Sequence, residues 1–290
     1  MPAADAPPVA PVAHISDTAR WVALYRAMES ERPDALFHDP WARRLAGPEG
    51  EAILRGIPKA KEMAWPMIVR TQVMDEIILR TLAEGGVDAV LNLAAGLDAR
   101  PWRLPLPATL RWIDADLPDI LAYKEGLLAG ERPRCALEYA RVDLTDGEAR
   151  RALFDRVGAS ASNVLVITEG LLAYLQSDQV ARLAAALHEQ SSFRRWLIDL
   201  ASPQILKRIN RSWGDSLKRS PLIFGPAEGT QFFAPLGWRE REFRSTFGES
   251  LRLNRTMRFA RFFHALGRLY PKRTQERFLR LSGIVLLERT

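Results

Sequence analysis

Several residues able to bind or polarise a ligand recur at one kind of place in this chain, directly after a short apolar run. Gly96 and Asp98 follow the first run in "LNLAAGLD", Asp114 and Asp116 close "WIDADLP", Asp143 sits in "ARVDLTD", and Glu169 follows "VLVIT". An ionised carboxylate is purely an acceptor, so an acid after the second run suits the vicinal hydroxyls of a ribose. An acid after the third run can accept from an adenine amino group. A glycine after the first lets backbone approach the ligand closely. Together these fit an adenosine ligand. A dinucleotide site wants GxGxxG opening into a helix that holds the pyrophosphate. Here the loop is Ala94-Ala95-Gly96-Leu97-Asp98, with one glycine and an acid that repels phosphate, which disfavours an NAD-binding oxidoreductase. The same acid suits a ligand bearing an ammonium group and a sulfonium. Plainer readings stand beside these. One of Asp114 and Asp116, which share a face by strand alternation, caps the next helix instead; Asp143 also reads as a turn residue.

The elements that must position these groups are legible. Apolar runs ending at glycine or acid ("DAVLNLAAG", "LRWIDADLP", "CALEYARVDLTD", "NVLVITEG", "RRWLIDLAS") alternate with helical stretches, the pattern of an α/β, doubly wound, mostly parallel sheet. Three helices precede them. Asp17 is the expected cap of the first, on which Trp21, Leu24, Tyr25 and Met28 share a face. "DPWARRLAG" is expected to stop at Gly47. Pro66 should start or kink the third, and Gly85-Gly86 should end it. After residue 203 a helix, "PQILKRINRSWGDSLKRS", precedes the late strands "WREREFRS" and "GIVLLERT". Residues 1–14 read as a flexible tail and 15–290 as one domain, with a helical part (15–86), a ligand-binding core (87–202) and a lid with the last strands (203–290).

Composition narrows the function. With 290 residues, 47% of them apolar, the chain can bury one sizeable core. No apolar run approaches about 20 residues, so no membrane span is expected. "MPAADAPPVAPVAH" lacks the features of a secretory signal, and Cys135 is the single cysteine, so a cytoplasmic home is expected. His14, His38, His188 and His264 lack paired ligand spacing, and no metal is expected. Residues 201–290 carry 18 Lys+Arg against 7 Asp+Glu. The excess reads as a solvated exterior rather than a nucleic-acid surface. "TMRFARFFHALGRLYPKR" interleaves aromatics with arginines; a surface helix over the site is favoured over one that touches membrane.

"RTQVMDEII", "LNLAAGLDARPWRL", "IDADLPDILAYK", "VDLTD", "ITEGLLAYL" and "FFAPLGW", in this order and spacing, resemble the leucine carboxyl methyltransferase superfamily, and within it the bacterial polyketide-type O-methyltransferases. The resemblance runs from about residue 17 to the C-terminus. It implies a seven-stranded Rossmann-like sheet of the class I methyltransferases, with S-adenosyl-L-methionine as cofactor and S-adenosyl-L-homocysteine as product. It also implies roles. Arg70 should pair with the methionine carboxylate, with Gly96 against the methionine chain and Asp98 near it. Asp116 should hold the ribose, Asp143 and the Leu144 N–H the adenine, and Glu169 should lie near the amino group. One departure is Ala94, where relatives often carry glycine.

The expected reaction is methylation of a carboxyl or hydroxyl oxygen of a small, partly apolar, polyketide-like acceptor. A carboxylate needs no base. A phenol or enol would, and His38, Tyr174 and Glu169 are the candidates. His38 also reads as a loop histidine bonding a carbonyl, and Tyr174 as packing. The alternatives are a protein C-terminal carboxyl methyltransferase and a non-catalytic module that binds an adenosine ligand. A homodimer is compatible with the sequence.

Overall fold

The computed structural model describes residues 15–57, 60–213 and 221–290; the expected tail at 1–14 and the end of the expected helix after Pro203 lie outside them. Seven strands form one sheet: β1 (Ala89–Leu93), β2 (Arg111–Asp116), β3 (Ala136–Arg141), β4 (Val164–Thr168), β5 (Phe193–Ala201), β6 (Trp238–Ser245) and β7 (Ser282–Arg289). Their order is β3-β2-β1-β4-β5-β7-β6. The first five are parallel, and β7 runs antiparallel between β5 and β6. The doubly wound sheet expected from the alternating runs is therefore present.

The central strands β1 and β4 are buried at every position, which is why they read as unbroken apolar runs. Alternation sends their side chains to two cores. Leu91, Leu93, Val164 and Val166 pack with α6 (Gly147–Ser160) and α7 (Ser177–Glu189) through Phe154, Val157, Leu183 and Leu187. Val90, Trp112, Leu165 and Ile167 pack on the other face with α3 (Trp65–Ala83) through Val69, Val73, Met74 and Ile77. Pro66 stands in the first turn of α3, where a missing N–H does no harm, and Gly85 and Gly86 take positive φ just after it. The chain leaves β1 toward β2 and β3 and then crosses to β4, so the direction of winding reverses between β1 and β4. Loops at such a reversal open a crevice beyond the carboxyl ends of the strands.

Two helix boundaries differ from expectation. The first helix, α1 (Ile15–Ser30), already includes Asp17, so it does not start at that residue. Its face is as expected: Trp21, Leu24 and Tyr25 are buried. The second, α2 (Ala42–Gly56), does not stop at Gly47. Gly47 breaks the helix with φ 64°, and Pro48, pre-set for a first helical position, restarts it.

Of the two acids on β2, Asp114 is the structural one. It is fully buried, and both its oxygens are engaged. Lys124 on α5 (Pro118–Leu127) donates at 2.7 Å, Trp112 at 2.8 Å and Asn92 at 3.0 Å. Removing one partner of such a pair strands a charge away from water. Lys124→Met should therefore lower the unfolding free energy by about 3–5 kcal/mol in denaturant titrations. A loss well under about 1 kcal/mol would show that the pair is not buried as described.

Candidate active site

A cleft of about 1060 Å³ opens at the carboxyl ends of β1, β2 and β4. Seven of the residues expected to bind a cofactor line it: Arg70, Gly96, Asp98, Asp116, Asp143, Leu144 and Glu169. Tyr174 lines it too. His38 does not; it is exposed on the loop after α1, away from the cleft.

The floor of the cleft is a continuous chain of buried ion pairs. Asp39 is 2.9 Å from Arg26 and 3.9 Å from Arg103. Arg103 grips Asp75 at 2.6 and 2.8 Å, and Arg100 reaches Asp75 at 2.7 Å. One nitrogen of Arg100, Nη1, donates to Asp98 at 2.8 Å and to Glu169 at 2.7 Å. Glu169 accepts from Arg70 at 2.9 Å, and Arg70 ends the chain on Asp199 at 3.2 Å. Four guanidiniums thus face five carboxylates. Asn92, at the end of β1, ties Asp98 to Asp114 with bonds of 3.1 and 3.0 Å.

Backbone geometry sets the other walls. Ala94 and Gly96 both take positive φ, 53° and 49°. The left-handed form costs an alanine about 1 kcal/mol, which is why glycine suits the Ala94 position. The turn lets the Gly96 N–H donate to Asp116 at 2.7 Å, while the Leu117 N–H donates to the other Asp116 oxygen at 2.7 Å. The Arg26 side chain holds the same loop through the Leu97 carbonyl at 2.6 Å. Gly170, after β4, has φ 67°, and a Cβ there would lie 3.2 Å from Arg70.

Charges follow from these contacts. Burial opposes ionisation of Glu169, but the guanidiniums of Arg100 and Arg70 outweigh it and bring the carboxyl down to about 2. Asp98 is also lowered: Arg100, Lys124, Arg103 and Arg26 overcome its burial. Asp116 moves the other way, raised by burial. Burial likewise raises the Tyr174 phenol, so it keeps its proton at neutral pH; its hydroxyl bonds Thr18 of α1. Asp143 sits exposed at the rim, where hydrogen bonds from Thr145 lower it. Those bonds, 2.8 Å from the N–H and 2.7 Å from the hydroxyl, both use Oδ1, so it is a turn residue and a cleft residue at once.

The residues fit the expected cofactor. Arg100 Nη2 is buried in the cleft floor without a hydrogen-bond partner, a donor suited to a carboxylate group. Arg70 also keeps donor capacity beyond its two ion pairs. Each Asp116 oxygen takes one backbone N–H and retains a lone pair for a hydroxyl. The unmatched carboxylate of the floor, with Asp116 nearby, leaves the cleft negative, complementary to a ligand with a sulfonium, an ammonium and one carboxylate. Among the described residues no cluster of three or more His, Cys, Asp or Glu is arranged for a metal.

Asp75, Arg100, Arg103 and Asp199 were not singled out by sequence reading. Asp75 carried a signal, since it interrupts the apolar stripe of α3 and is buried. Asp199 lies near the end of the fifth run, in "LIDLA", as the other strand-end acids do. Arg100 and Arg103 stand in "LDARPWRL" with no local signal of their role.

The lowered carboxyls predict a pH dependence. A group whose folded pKa is depressed stabilises above its ordinary value and loses that contribution as pH falls toward the folded one. For Glu169 the window runs from 4.5 down to about 2. Unfolding free energy should fall across it, and Glu169→Gln should flatten that slope while lowering stability at pH 7. Identical slopes for the two proteins, measured by denaturant titration, would remove Glu169 from the cluster.

The sequence profile of the leucine carboxyl methyltransferase family matches residues 19–188. A Parafrankia protein named as an S-adenosyl-L-methionine-dependent methyltransferase is 40% identical over 181 residues, covering 59% of this chain and 58% of the relative. A Saccharopolyspora erythraea protein with the same kind of name is 34% identical over 251 residues, covering 79% of this chain and 84% of that one. The chain thus spans less than two thirds of the first relative and most of the second. In three dimensions, a DUF574 family protein of Streptomyces avermitilis superposes with a TM-score of 0.58 at 14% identity, over 94% of this chain and 97% of that one. A Thermobifida fusca structure named as a methyltransferase gives 0.50 at 17% identity, over 94% of each chain. At such identities the two structures speak for the fold alone. The profile spans more than half of the chain and the Saccharopolyspora alignment covers most of both sequences: this chain belongs to the leucine carboxyl methyltransferase family, a family of S-adenosylmethionine-dependent methyltransferases.

Proposed function

We propose that this chain transfers the methyl group of S-adenosyl-L-methionine to a carboxyl or hydroxyl oxygen of a small, partly apolar acceptor of the polyketide or secondary-metabolite kind. One observation carries the reading. The Arg70–Glu169–Arg100–Asp98 cluster and the Asp116–Gly96 clasp line the same cleft, whose lining also includes the apolar Trp21, Met63, Trp65, Ile209 and Leu222.

When bound, the cofactor supplies a methyl on a sulfonium, and the C–S electron pair leaves to sulfur as the new O–CH₃ bond forms. The protein's part is to bind, orient and exclude water. Arg70 and Nη2 of Arg100 would hold the methionine carboxylate, and Glu169 and Asp98 would face its ammonium. Asp116 would take the ribose hydroxyls, and Asp143 with the Leu144 N–H would take the adenine edge. The apolar part of the lining would hold the acceptor in line with the methyl, at a near-attack distance of about 3 Å. Removing water from an acceptor carboxylate raises its reactivity.

A base is not needed for a carboxylate, and the three candidate bases are poorly suited to act as one. Tyr174 stays protonated at neutral pH, so it orients an acceptor oxygen by donating a hydrogen bond rather than taking a proton. His38 is outside the cleft. Glu169 is engaged by two arginines, which makes it a poor base.

Calorimetric titration tests the cofactor half. S-adenosylmethionine and its demethylated product should bind and NAD should not. Arg70→Ala and Asp116→Ala should each weaken binding by about tenfold or more, the worth of a charge-assisted hydrogen bond. Unchanged affinity in both would refute the site. Turnover with a panel of carboxylic acids and phenols, followed by mass gain of a methyl group, tests the acceptor half. A base-labile product marks an ester; binding without any turnover would point to a non-catalytic module.

A further inference from the structure

The C-terminal part of the chain carries an apolar, basic face that the methyl-transfer reading does not use. It is built on α10 (Ala260–Gly267), α11 (Lys272–Leu279) and the turns around them. Elsewhere the helices bury their apolar stripes, as α6 and α7 do. Here, over the site as expected, the described side chains of α10 and α11 are largely exposed. Ala260 is the buried residue among the described side chains of α10. Leu269 is 83% exposed, Tyr270 63%, Phe259 62% and Phe262 61%. Phe259 also takes φ 64°, costly for a bulky residue, as it starts α10. Contiguous apolar exposure of this kind marks an interaction surface.

The charges around it select the partner. Arg258, Arg261, Arg268, Lys272, Arg273 and Arg277 are all exposed, and none forms an ion pair with an acid among the described residues. Glu276 is the single acid between residues 257 and 280. Most arginines elsewhere among the described residues are paired, so this stretch is set apart. A two-fold contact with a second copy would press the same cationic face against itself. A helix with exposed aromatic and aliphatic residues amid lysine and arginine is suited instead to the interface of an anionic bilayer. The face also meets the cleft, because Met257, Arg258, Phe278 and Leu279 line it.

We infer that the α10–α11 face docks on an anionic lipid surface, with the aromatic and aliphatic side chains in the headgroup region and the basic residues on lipid phosphates. Docked in this way, the mouth of the cleft lies against the lipid, and an amphiphilic acceptor enters along the face rather than through bulk water. The docking itself is independent of methyl transfer; entry of the acceptor from the lipid rests on that reading.

Co-sedimentation of the full chain with vesicles, without cofactor, tests the docking. The chain should sediment with phosphatidylglycerol–phosphatidylcholine vesicles and not with phosphatidylcholine alone, and added salt should weaken the binding. The pair Arg261→Glu/Arg273→Glu and the pair Leu269→Ser/Tyr270→Ser should each lower partitioning by about tenfold or more. Both pairs lie outside the cleft lining, so the melting temperature and the calorimetric affinity for S-adenosylmethionine should not change. Those controls separate a failure of docking from a failure of the methyltransferase reading. Equal sedimentation with neutral vesicles, none with either, or insensitivity to both pairs overturns the inference. So does lipid-free self-association that Leu269→Ser/Tyr270→Ser abolishes, which would assign the face to a second copy.

Discussion

Burying ionised groups is the constraint around which this molecule is arranged. A lone carboxylate or guanidinium away from water costs several kcal/mol, and a chain of them persists only if nearly every hydrogen-bonding position is matched. The run from Asp39 to Asp199 meets this condition almost throughout, with Arg100 shared among Asp75, Asp98 and Glu169. It departs from it where Arg100 Nη2, Arg103 Nε and Asp39 Oδ1 are unmatched, and where carboxylates outnumber guanidiniums by one. Of these residues Arg100 lines the cleft, where a ligand carboxylate would engage Nη2; Arg103 and Asp39 do not line it. In the proposed function the cluster would act as a pre-organised half-site, rigid because its members hold one another and completed by the cofactor.

That arrangement explains several features of the fold at once. α3 supplies both Arg70 and Asp75, so its packing on β1, β4 and β7 sets the position of both. The loops after β1 and β4 flank the reversal in strand order, and each needs a left-handed residue to turn its backbone into the cleft: Gly96 and Ala94 in one, Gly170 in the other. α1 closes the cleft from above, with Ala19 against Gly96, Thr18 against Tyr174 and Arg26 bonded to the Leu97 carbonyl. The Asp114–Lys124 pair lies beneath, and its partner Asn92 links it to Asp98.

The sheet was readable because parallel central strands must be apolar throughout and must end in a turn; "AVLNL" and "VLVIT" could hardly be anything else. Gly47 misled as a stop because local chemistry could not reveal that Pro48 restarts the helix. In the site, Gly96, Asp116 and Glu169 were legible since each sits at a strand end, where position alone implies function. Arg100 was not, because its meaning comes from Asp75 and Glu169, 25 and 69 residues away. His38 drew attention by residue type, and the fold leaves it on the surface. The aromatics of α10 looked like packing residues; no local pattern tells a buried stripe from an exposed one.

The central claim is that this ionic floor and the Asp116 clasp together hold one S-adenosylmethionine. A crystal structure of the chain with that cofactor bound tests it most directly. The methionine carboxylate should lie on Arg70 and Arg100 Nη2, and both ribose hydroxyls on Asp116. A cofactor bound with its carboxylate turned away from Arg70 and Arg100, or its ribose away from Asp116, would contradict the account.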